Sequence, residues 1–212
     1  MIISFSSLKG GSGKTTLAVH LAHAITLGKA RALLIDADPQ GSAQGWAAAR
    51  EEKTPFPVVG MARNTLHRDL PELMGNYDHA VIDTPPRVSA LARTAILAAD
   101  LVLIPVQPSS YDVWAASETV QLIEEAQGFK PELRAAFVIN RKIVNTAIGK
   151  DIRDALSEYN IPTLEATIGQ RVAFAESSAG YSVIELGSSS TASKEVKALA
   201  QEVLKMVGAK RW

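Results

Sequence analysis

The chain has 212 residues, of which 47% are hydrophobic and 21% are charged, which suits one well-buried domain and leaves too little for two. It contains no cysteine, so disulfides and thiolate ligation of zinc or iron–sulfur clusters are excluded. Acidic and basic residues balance at 22 each, and the whole chain therefore lacks the charge that is typical of a nucleic-acid-binding protein.

Apolar segments alternate with segments of helical spacing along the chain. A buried strand is predicted at 2–6, then a glycine-rich loop, then a helix at 15–27 that ends at Gly28. Further strands are predicted at 31–36, 80–83, 101–106, 135–139 and 163–166. Helices are predicted between them at 42–50, 66–74, 89–98, 114–126 and 147–159, followed by a last helix with an apolar face along 196–207.

This alternation predicts an α/β fold. Strands that are apolar on both faces and alternate with helices are typical of a mostly parallel sheet that helices cover on both sides. We expect a single domain over residues 1–212. Ligands bind such sheets beyond the carboxyl ends of the strands, which is where the glycine-rich loop falls.

The glycine-rich loop has the pattern of a phosphate-binding loop, with a second lysine, Lys9, before its glycines. Its glycines let backbone N–H groups approach phosphates, and Lys14 can reach the β- and γ-phosphates of a nucleotide. The Thr15 hydroxyl can ligate Mg²⁺, and Thr16 can touch the α-phosphate. Lys9 has no obvious role on its own subunit, so we expect it to reach the nucleotide of another. The segment reads Lys9-Gly10-Gly11-Ser12-Gly13-Lys14-Thr15-Thr16.

Aspartates end two of the predicted strands. Asp36 and Asp83 each follow an apolar run, and a carboxylate beside a phosphate loop can hold Mg²⁺ through its water shell. Asp83 is the better candidate, because the stiff turn 84–86 that follows it can sense the γ-phosphate. Asp38 lies on the next loop and can orient or deprotonate an attacking water.

These segments resemble the deviant Walker A, switch I and switch II motifs of the ParA/MinD family of ATPases. The resemblance extends to a segment after a central strand at 104–109 with Asp112, to a turn at 138–141 and to a segment at 169–174. It is closest to the small plasmid- and chromosome-partition type. The three motifs are Lys9 to Thr16, Asp36 to Gln40 and Asp83 to Pro86.

The resemblance implies that residues 1–212 form a single P-loop ATPase domain, and it implies roles for the residues of these motifs. Lys9, Lys14 and Asp38 are expected to act in catalysis, with Lys9 crossing a nucleotide-sandwich homodimer to the partner's phosphates. ATP or ADP with Mg²⁺ is the expected cofactor. The metal is assigned to Thr15, Asp36 and Asp83, and the nucleotide to Lys9, Gly10, Gly11, Ser12, Gly13, Lys14, Thr15, Thr16, Asn140 and Arg141.

One position departs from the family pattern. Switch II commonly continues as Pro-Pro-Gly, whereas Arg87 stands at the glycine position here. We consider three roles for Arg87: an additional phosphate ligand, a contact with a partner protein, or a solvated turn residue.

The implied function is DNA partition. Members of the partition type bind DNA non-specifically as ATP dimers, and a ParB-like or other small DNA-binding partner protein stimulates their hydrolysis. Between Lys130 and Arg153 there are six Lys or Arg residues and two acidic ones. Together with Arg171, Lys194 and Lys197 this excess can contact DNA phosphates, or it can be an ordinary charged surface.

Two alternatives use the same loop. A MinD-like ATPase needs a C-terminal amphipathic helix for the membrane, and 195–212 has the required spacing with a plausible interfacial ending at Lys210 to Trp212. The same spacing also suits a helix that packs on its own sheet. An amide-forming synthetase would need a substrate pocket that the sequence does not reveal. Because the first residues lack a basic leader and the longest apolar stretch is short, we expect a cytoplasmic, nucleoid-associated protein without a membrane partner.

Overall fold

The computed structural model describes residues 1–143 and 148–209, with side chains for all of these except 148–150. The strands in these ranges are β1 Ile2–Phe5, β2 Ala32–Asp36, β3 Val58–Gly60, β4 His79–Asp83, β5 Leu101–Val106 and β6 Arg134–Ile139. They form one parallel six-stranded sheet in the order β3-β2-β4-β1-β5-β6.

Helices connect the strands. In the described ranges, three of them have fewer than eight residues, and 3₁₀ turns lie at Met74–Asn76 and Ser177–Ala179. No described helix is long and apolar enough to cross a membrane. The helices are α1 Lys14–Leu27, α2 Ser42–Ala48, α3 Leu66–Leu73, α4 Ala90–Ala98, α5 Ser110–Gln127, α6 Ile148–Leu156, α7 Val172–Glu176, α8 Val183–Leu186 and α9 Thr191–Met206.

The core lies on both faces of the sheet. Phe5 and Leu103 belong to a buried cluster that includes α1 and α9, whereas Val102 and Phe137 belong to one that includes α4, α5 and α6. A third cluster joins β2 and β4 to α3. Every residue of β2, β4 and β5 is buried, as expected for strands covered on both sides. The predicted mostly parallel α/β fold is confirmed.

One predicted strand is wrong. Residues 163–166 make only an isolated bridge between Thr163 and Phe137. The ladder stops there because the Glu202 carboxylate of α9 accepts hydrogen bonds from the backbone N–H groups of Glu165 and Ala166, at 2.8 Å each. The sixth strand of the sheet is instead β3, an edge strand of three residues that follows Pro57. A strand this short shows no periodic pattern in the sequence.

The predicted helices are present with shifted ends. α5 begins at Ser110, four residues before the predicted start, because the Ser109 hydroxyl caps it by accepting from the Asp112 N–H. α2 ends at Ala48 rather than 50. Gly28 is the C-cap of α1 as predicted, yet the left-handed conformation falls on the next residue, Lys29, with φ 60°.

Candidate nucleotide-binding site

The site lies at the carboxyl edge of the sheet, where three neighbouring strands end. β1 leads into the glycine-rich loop and α1, while Asp36 and Asp83 end β2 and β4 as direct partners in the parallel register. The Ala37 N–H donates to the Asp83 carbonyl at 2.9 Å, which holds the two strand ends together. The sheet therefore brings the loop and both predicted aspartates to one place.

Long-range contacts shape the loop. Gly13 has φ 95°, and a Cβ there would lie 2.3 Å from the Asn140 side-chain nitrogen, so both the conformation and the packing require glycine. Asn140 donates from its amide to the Ser12 carbonyl at 2.8 Å. Gln107 donates to the Gly11 carbonyl at 2.9 Å. These bonds hold the loop in place from two neighbouring strand ends.

Lys14 is buried at the base of the loop. It is 7% exposed, and its ammonium donates to the Lys9 carbonyl at 3.3 Å. Burial lowers the pKa of Lys14, against the opposing influence of the Asp83 and Asp38 carboxylates. A buried cation with only a weak carbonyl partner can pair with an anionic phosphate.

Lys9 is paired with a carboxylate of α5. Its ammonium pairs with the Asp112 carboxylate of α5 at 2.7 Å, and its side chain is 38% exposed. Asp112 also accepts from the Ser109 hydroxyl at 2.9 Å. Lys9 is therefore held on the surface beside the loop, where its release would let it extend outwards.

Asp83 is a buried carboxylate beside the Thr15 hydroxyl. Among the described residues, neither of its oxygens has a partner at good hydrogen-bond geometry. Burial raises the pKa of Asp83 to about 7, while the neighbouring Thr15 hydroxyl and the Lys14 ammonium favour its charged form. An unsatisfied carboxylate beside a threonine hydroxyl fits a Mg²⁺ site that nucleotide phosphates complete. No group of three or more His, Cys, Asp or Glu side chains in the described ranges can hold a metal alone.

Asp36 braces the backbone of the next loop. Its two oxygens accept from the N–H groups of Asp38, at 3.2 Å, and Gln44, at 2.9 Å. Burial raises the pKa of Asp36, and these N–H groups oppose that effect. The hydrogen bonds fix the segment that carries Asp38. Both oxygens of Asp36 are thus engaged, whereas those of Asp83 are not, and metal ligation by either aspartate stays a prediction.

Two cavities meet at the loop. A cavity of about 280 Å³ is lined by the loop together with Asp38, Ser42, Thr84, Pro86 and Arg141. A second of about 390 Å³ adjoins it, and Gly13, Thr16 and Arg141 line both. The first suits the phosphates and is called the phosphate cavity below. The second is large enough for a base and sugar and is called the base cavity. The second is lined by Gly13, Thr16, Asn140, Arg141, Gly169, Gln170, Arg171, Phe174, Ala175 and Ser178.

The sequence matches the model of a known protein family over most of its length. The model of the CobQ/CobB/MinD/ParA nucleotide binding domain matches residues 3–182. The chain belongs to this family. The recognition of a ParA/MinD-type ATPase from the loop and the two aspartate segments is therefore confirmed. ParA/MinD proteins are P-loop ATPases that dimerise on binding ATP.

Three known proteins illustrate the similarity. "Maintenance of carboxysome distribution protein A" of Halothiobacillus neapolitanus is 30% identical over 207 residues, which are 95% of each chain. "Chromosome-partitioning ATPase Soj" of Thermus thermophilus is 28% identical over 97% of this chain and 96% of its own. The septum site-determining protein MinD of Pyrococcus horikoshii, solved with Mg-ADP, has a TM-score of 0.81 at 21% identity, covering 98% of this chain and 97% of that one. The names of these relatives refer to three different processes, namely carboxysome distribution, chromosome partitioning and septum-site determination.

Arg87 departs from the family pattern at a strained position. It has φ 76°, a conformation that suits the glycine usual there, and its N–H donates to the Leu8 carbonyl at 3.0 Å. Its side chain is exposed and lies outside the lining of the phosphate cavity, which Pro86 does contribute to. The geometry therefore favours a partner contact or a solvated turn over an additional phosphate ligand.

The sequence did not reveal which residues support the site. Gln107 directly follows a predicted strand, but its hydrogen bond to the Gly11 carbonyl joins residues that are 96 positions apart in the sequence. Trp46 of α2 donates to the carbonyls of Ser177 and Tyr181 at 3.1 and 3.0 Å, which ties the helix after Asp38 to the segment beside the base cavity. No local pattern marks such contacts.

Proposed function

We propose that this chain is an ATP-driven positioning ATPase. Mg-ATP brings two copies into a sandwich dimer that binds DNA non-specifically, and a partner protein that stimulates hydrolysis returns the chains to monomers. Family membership supports nucleotide binding, and the two adjoining cavities have the size and lining that ATP requires. The Mg-ADP bound to the P. horikoshii relative supports the choice of Mg²⁺.

The proposed mechanism gives each residue a task. Loop N–H groups and Lys14 hold the β- and γ-phosphates, with Thr15 and Asp83 facing the metal, which would neutralise charge that develops during phosphoryl transfer. Asp38 lines the phosphate cavity and is only partly buried, so it can orient or deprotonate an attacking water. Arg141 lines both cavities, where its charge can hold the phosphates and the sugar together.

The placement of Lys9 carries the proposal. Lys14 lines the phosphate cavity, whereas Lys9 lies outside that lining and pairs with Asp112. A loop lysine that contacts nothing on its own nucleotide can still stabilise the phosphates of a second copy. Once ATP is shared between subunits, it favours the dimer over the monomer, because only the dimer offers both lysines.

A Lys9→Ala variant tests this role. We expect it to fold and bind ADP as the natural chain does, to stay monomeric with Mg-ATP, and to lose hydrolysis by at least about tenfold because one cation is removed from the transition state. Light scattering after size exclusion gives the mass with ATP or ADP, and phosphate release gives the rate. The control is Lys53→Ala, which removes an exposed lysine away from the loop. Normal dimerisation and hydrolysis by Lys9→Ala would refute the proposal.

DNA is the proposed surface on which the dimer moves. The local excess between Lys130 and Arg153 supports it, although several of these cations are partly engaged within the chain. Lys130 donates to the Ala99 carbonyl at 2.6 Å, and Arg153 to the Leu164 carbonyl at 2.8 Å. Lys130 also pairs with the Asp100 carboxylate at 3.5 Å and Arg153 with that of Glu165 at 3.6 Å, which offsets part of their positive charge. The described part of the segment omits 144–147 and the side chain of Lys150.

A membrane surface is less well supported. Val196, Leu199 and Val203 form the apolar face of α9, and they are buried in the cluster that contains α1. This face therefore packs on the protein's own core and is not available to a bilayer. The proposed interfacial ending at Lys210 to Trp212 lies outside the described residues. Sedimentation with anionic liposomes in the presence of ATP decides the point, and co-sedimentation would favour the membrane alternative.

The cargo has two candidates. A plasmid or chromosome fits the similarity to the partitioning relative, and a protein compartment fits the 30% identity to the carboxysome-distribution relative. The genes adjacent to this one distinguish them: a neighbour that encodes a site-specific DNA-binding protein supports partition. We expect the purified neighbour product, added with DNA, to raise ATP hydrolysis, and DNA alone to raise it little.

A further inference from the structure

An exposed aromatic pair stands at the first turn of α5. Tyr111 and Trp114 are 76% and 67% exposed, and their rings meet edge to face with centroids 5.6 Å apart. Single exposed apolar residues are common on protein surfaces, but two large rings held against each other are typical of interfaces. No element in the described part of the chain covers them.

The pair is attached to the phosphate loop. Asp112, which lies between the two aromatics in sequence, holds the Lys9 ammonium at 2.7 Å. The Leu8 N–H donates to the Thr119 hydroxyl of α5 at 3.2 Å. The first turn of α5, which carries the aromatic pair, therefore lies directly beside Lys9.

We propose that Tyr111 and Trp114 contact a second copy of this chain in the ATP-bound dimer, an inference that rests on the proposed function. If Lys9 reaches the nucleotide of another copy, that copy must cover the surface around Lys9. The residues that flank Asp112 lie within this surface. Burial of the two rings stabilises the dimer and offsets the loss of the Lys9–Asp112 ion pair when Lys9 crosses over.

A second copy is favoured as the occupant because of this proximity to Lys9. A cargo or adaptor protein could use the same rings only if the dimer left them exposed. The pair thus gives the dimer a contact that does not involve the nucleotide, so ring removal should weaken dimerisation without changing the binding of ADP to the monomer.

The test uses the full chain with Mg²⁺ and a non-hydrolysable ATP analogue. Sedimentation velocity measures the dimer dissociation constant of the natural chain, Tyr111→Ala, Trp114→Ala and the double variant. We expect each single variant to raise it by at least about tenfold. Phe129→Ala is the matched control, because Phe129 is 86% exposed but lies just beyond the opposite end of α5. Binding of fluorescent ADP should be the same in all of them.

A second measurement does not depend on a destabilising variant. Acrylamide quenching is compared between the natural chain and Trp114→Phe, and the difference reports on Trp114 alone. We expect the analogue to reduce the quenching of Trp114 by at least about twofold, because the ring becomes buried.

The outcomes separate the two proposals. If the natural chain dimerises and the alanine variants dimerise equally well, or if Trp114 stays as accessible as in the monomer, the aromatic contact is refuted and the proposed function stands. If the natural chain stays monomeric with the analogue, the proposed function fails and this inference fails with it.

Discussion

Asp83 lies in the candidate nucleotide-binding site, and its buried carboxyl destabilises the folded chain when it is charged. Its carboxyl is fully buried, and its pKa is raised from 3.8 to about 7. The folded state therefore holds this proton more tightly than the unfolded chain does. The stability associated with the neutral carboxyl is complete below about pH 4 and is lost as the pH rises towards 7. At pH 8 the cost is on the order of 4 kcal/mol.

We predict that Asp83→Asn stabilises the nucleotide-free protein at pH 8, by several degrees in Tm, and stabilises it clearly less at pH 5. The neutral amide avoids the cost of burying a charge. This advantage shrinks as the pH falls from 8 towards 4, where the carboxyl of the unfolded chain also becomes protonated. Thermal unfolding at the two pH values measures it, with Asp154→Asn as an exposed control. The same variant should bind ATP without dependence on Mg²⁺. Equal Tm changes at both pH values would contradict this account.

The chemistry of individual residues was the most predictable part of the site. Phosphate loops need glycines, a lysine and a hydroxyl at fixed spacing, so the loop could be assigned from local sequence alone. The resting position of Lys9 could not, because Asp112 lies 103 residues away and only the fold brings the two together. The same holds for Asn140, which closes over Gly13 from the end of β6.

At the scale of elements, the strands that carry the site could be predicted from the sequence because they are buried on both faces and end in aspartate. The strand predicted at 163–166 is absent and shows a limit of prediction from local sequence. The segment has a strand-like composition, but Glu202 of α9 takes the N–H groups that a ladder needs. A competing acceptor 36 residues away leaves no local signal.

The end of α1 offers a direct prediction about one element. Lys29 is exposed and adopts φ 60°, a conformation that costs a side-chain-bearing residue about 1 kcal/mol or more. We predict that Lys29→Gly stabilises the protein by about 0.5–1 kcal/mol, since the strain relieved exceeds the added entropy of the unfolded chain. Urea unfolding measures the free energy.

Lys53→Gly is the control for this substitution, because Lys53 is also exposed but lies outside the residues with positive φ. It should be neutral or slightly destabilising. If both glycine variants lost stability equally, the left-handed conformation of Lys29 would carry no strain.

At the scale of the whole molecule, charge determines when DNA can be bound. The chain is neutral overall, with 22 basic and 22 acidic residues, so a monomer has little general attraction to DNA. Its basic segment has a local excess of four charges. A dimer presents that excess twice on one particle, which converts two weak contacts into a stronger bivalent one.

We therefore predict DNA binding that depends on ATP and falls steeply with salt. If four to eight phosphates are contacted, the logarithm of the association constant should fall against the logarithm of salt concentration with a slope of about −4 to −7. Fluorescence anisotropy of a labelled duplex measures this with ATP analogue and with ADP, which should give no binding. Lys194→Ala, which removes an exposed charge of α9, should reduce the slope by about one, while Lys53→Ala should leave it unchanged. A slope near zero, or equal binding with ADP, would mean that the basic segment is an ordinary charged surface and that the ATP-bound dimer acts on something other than DNA.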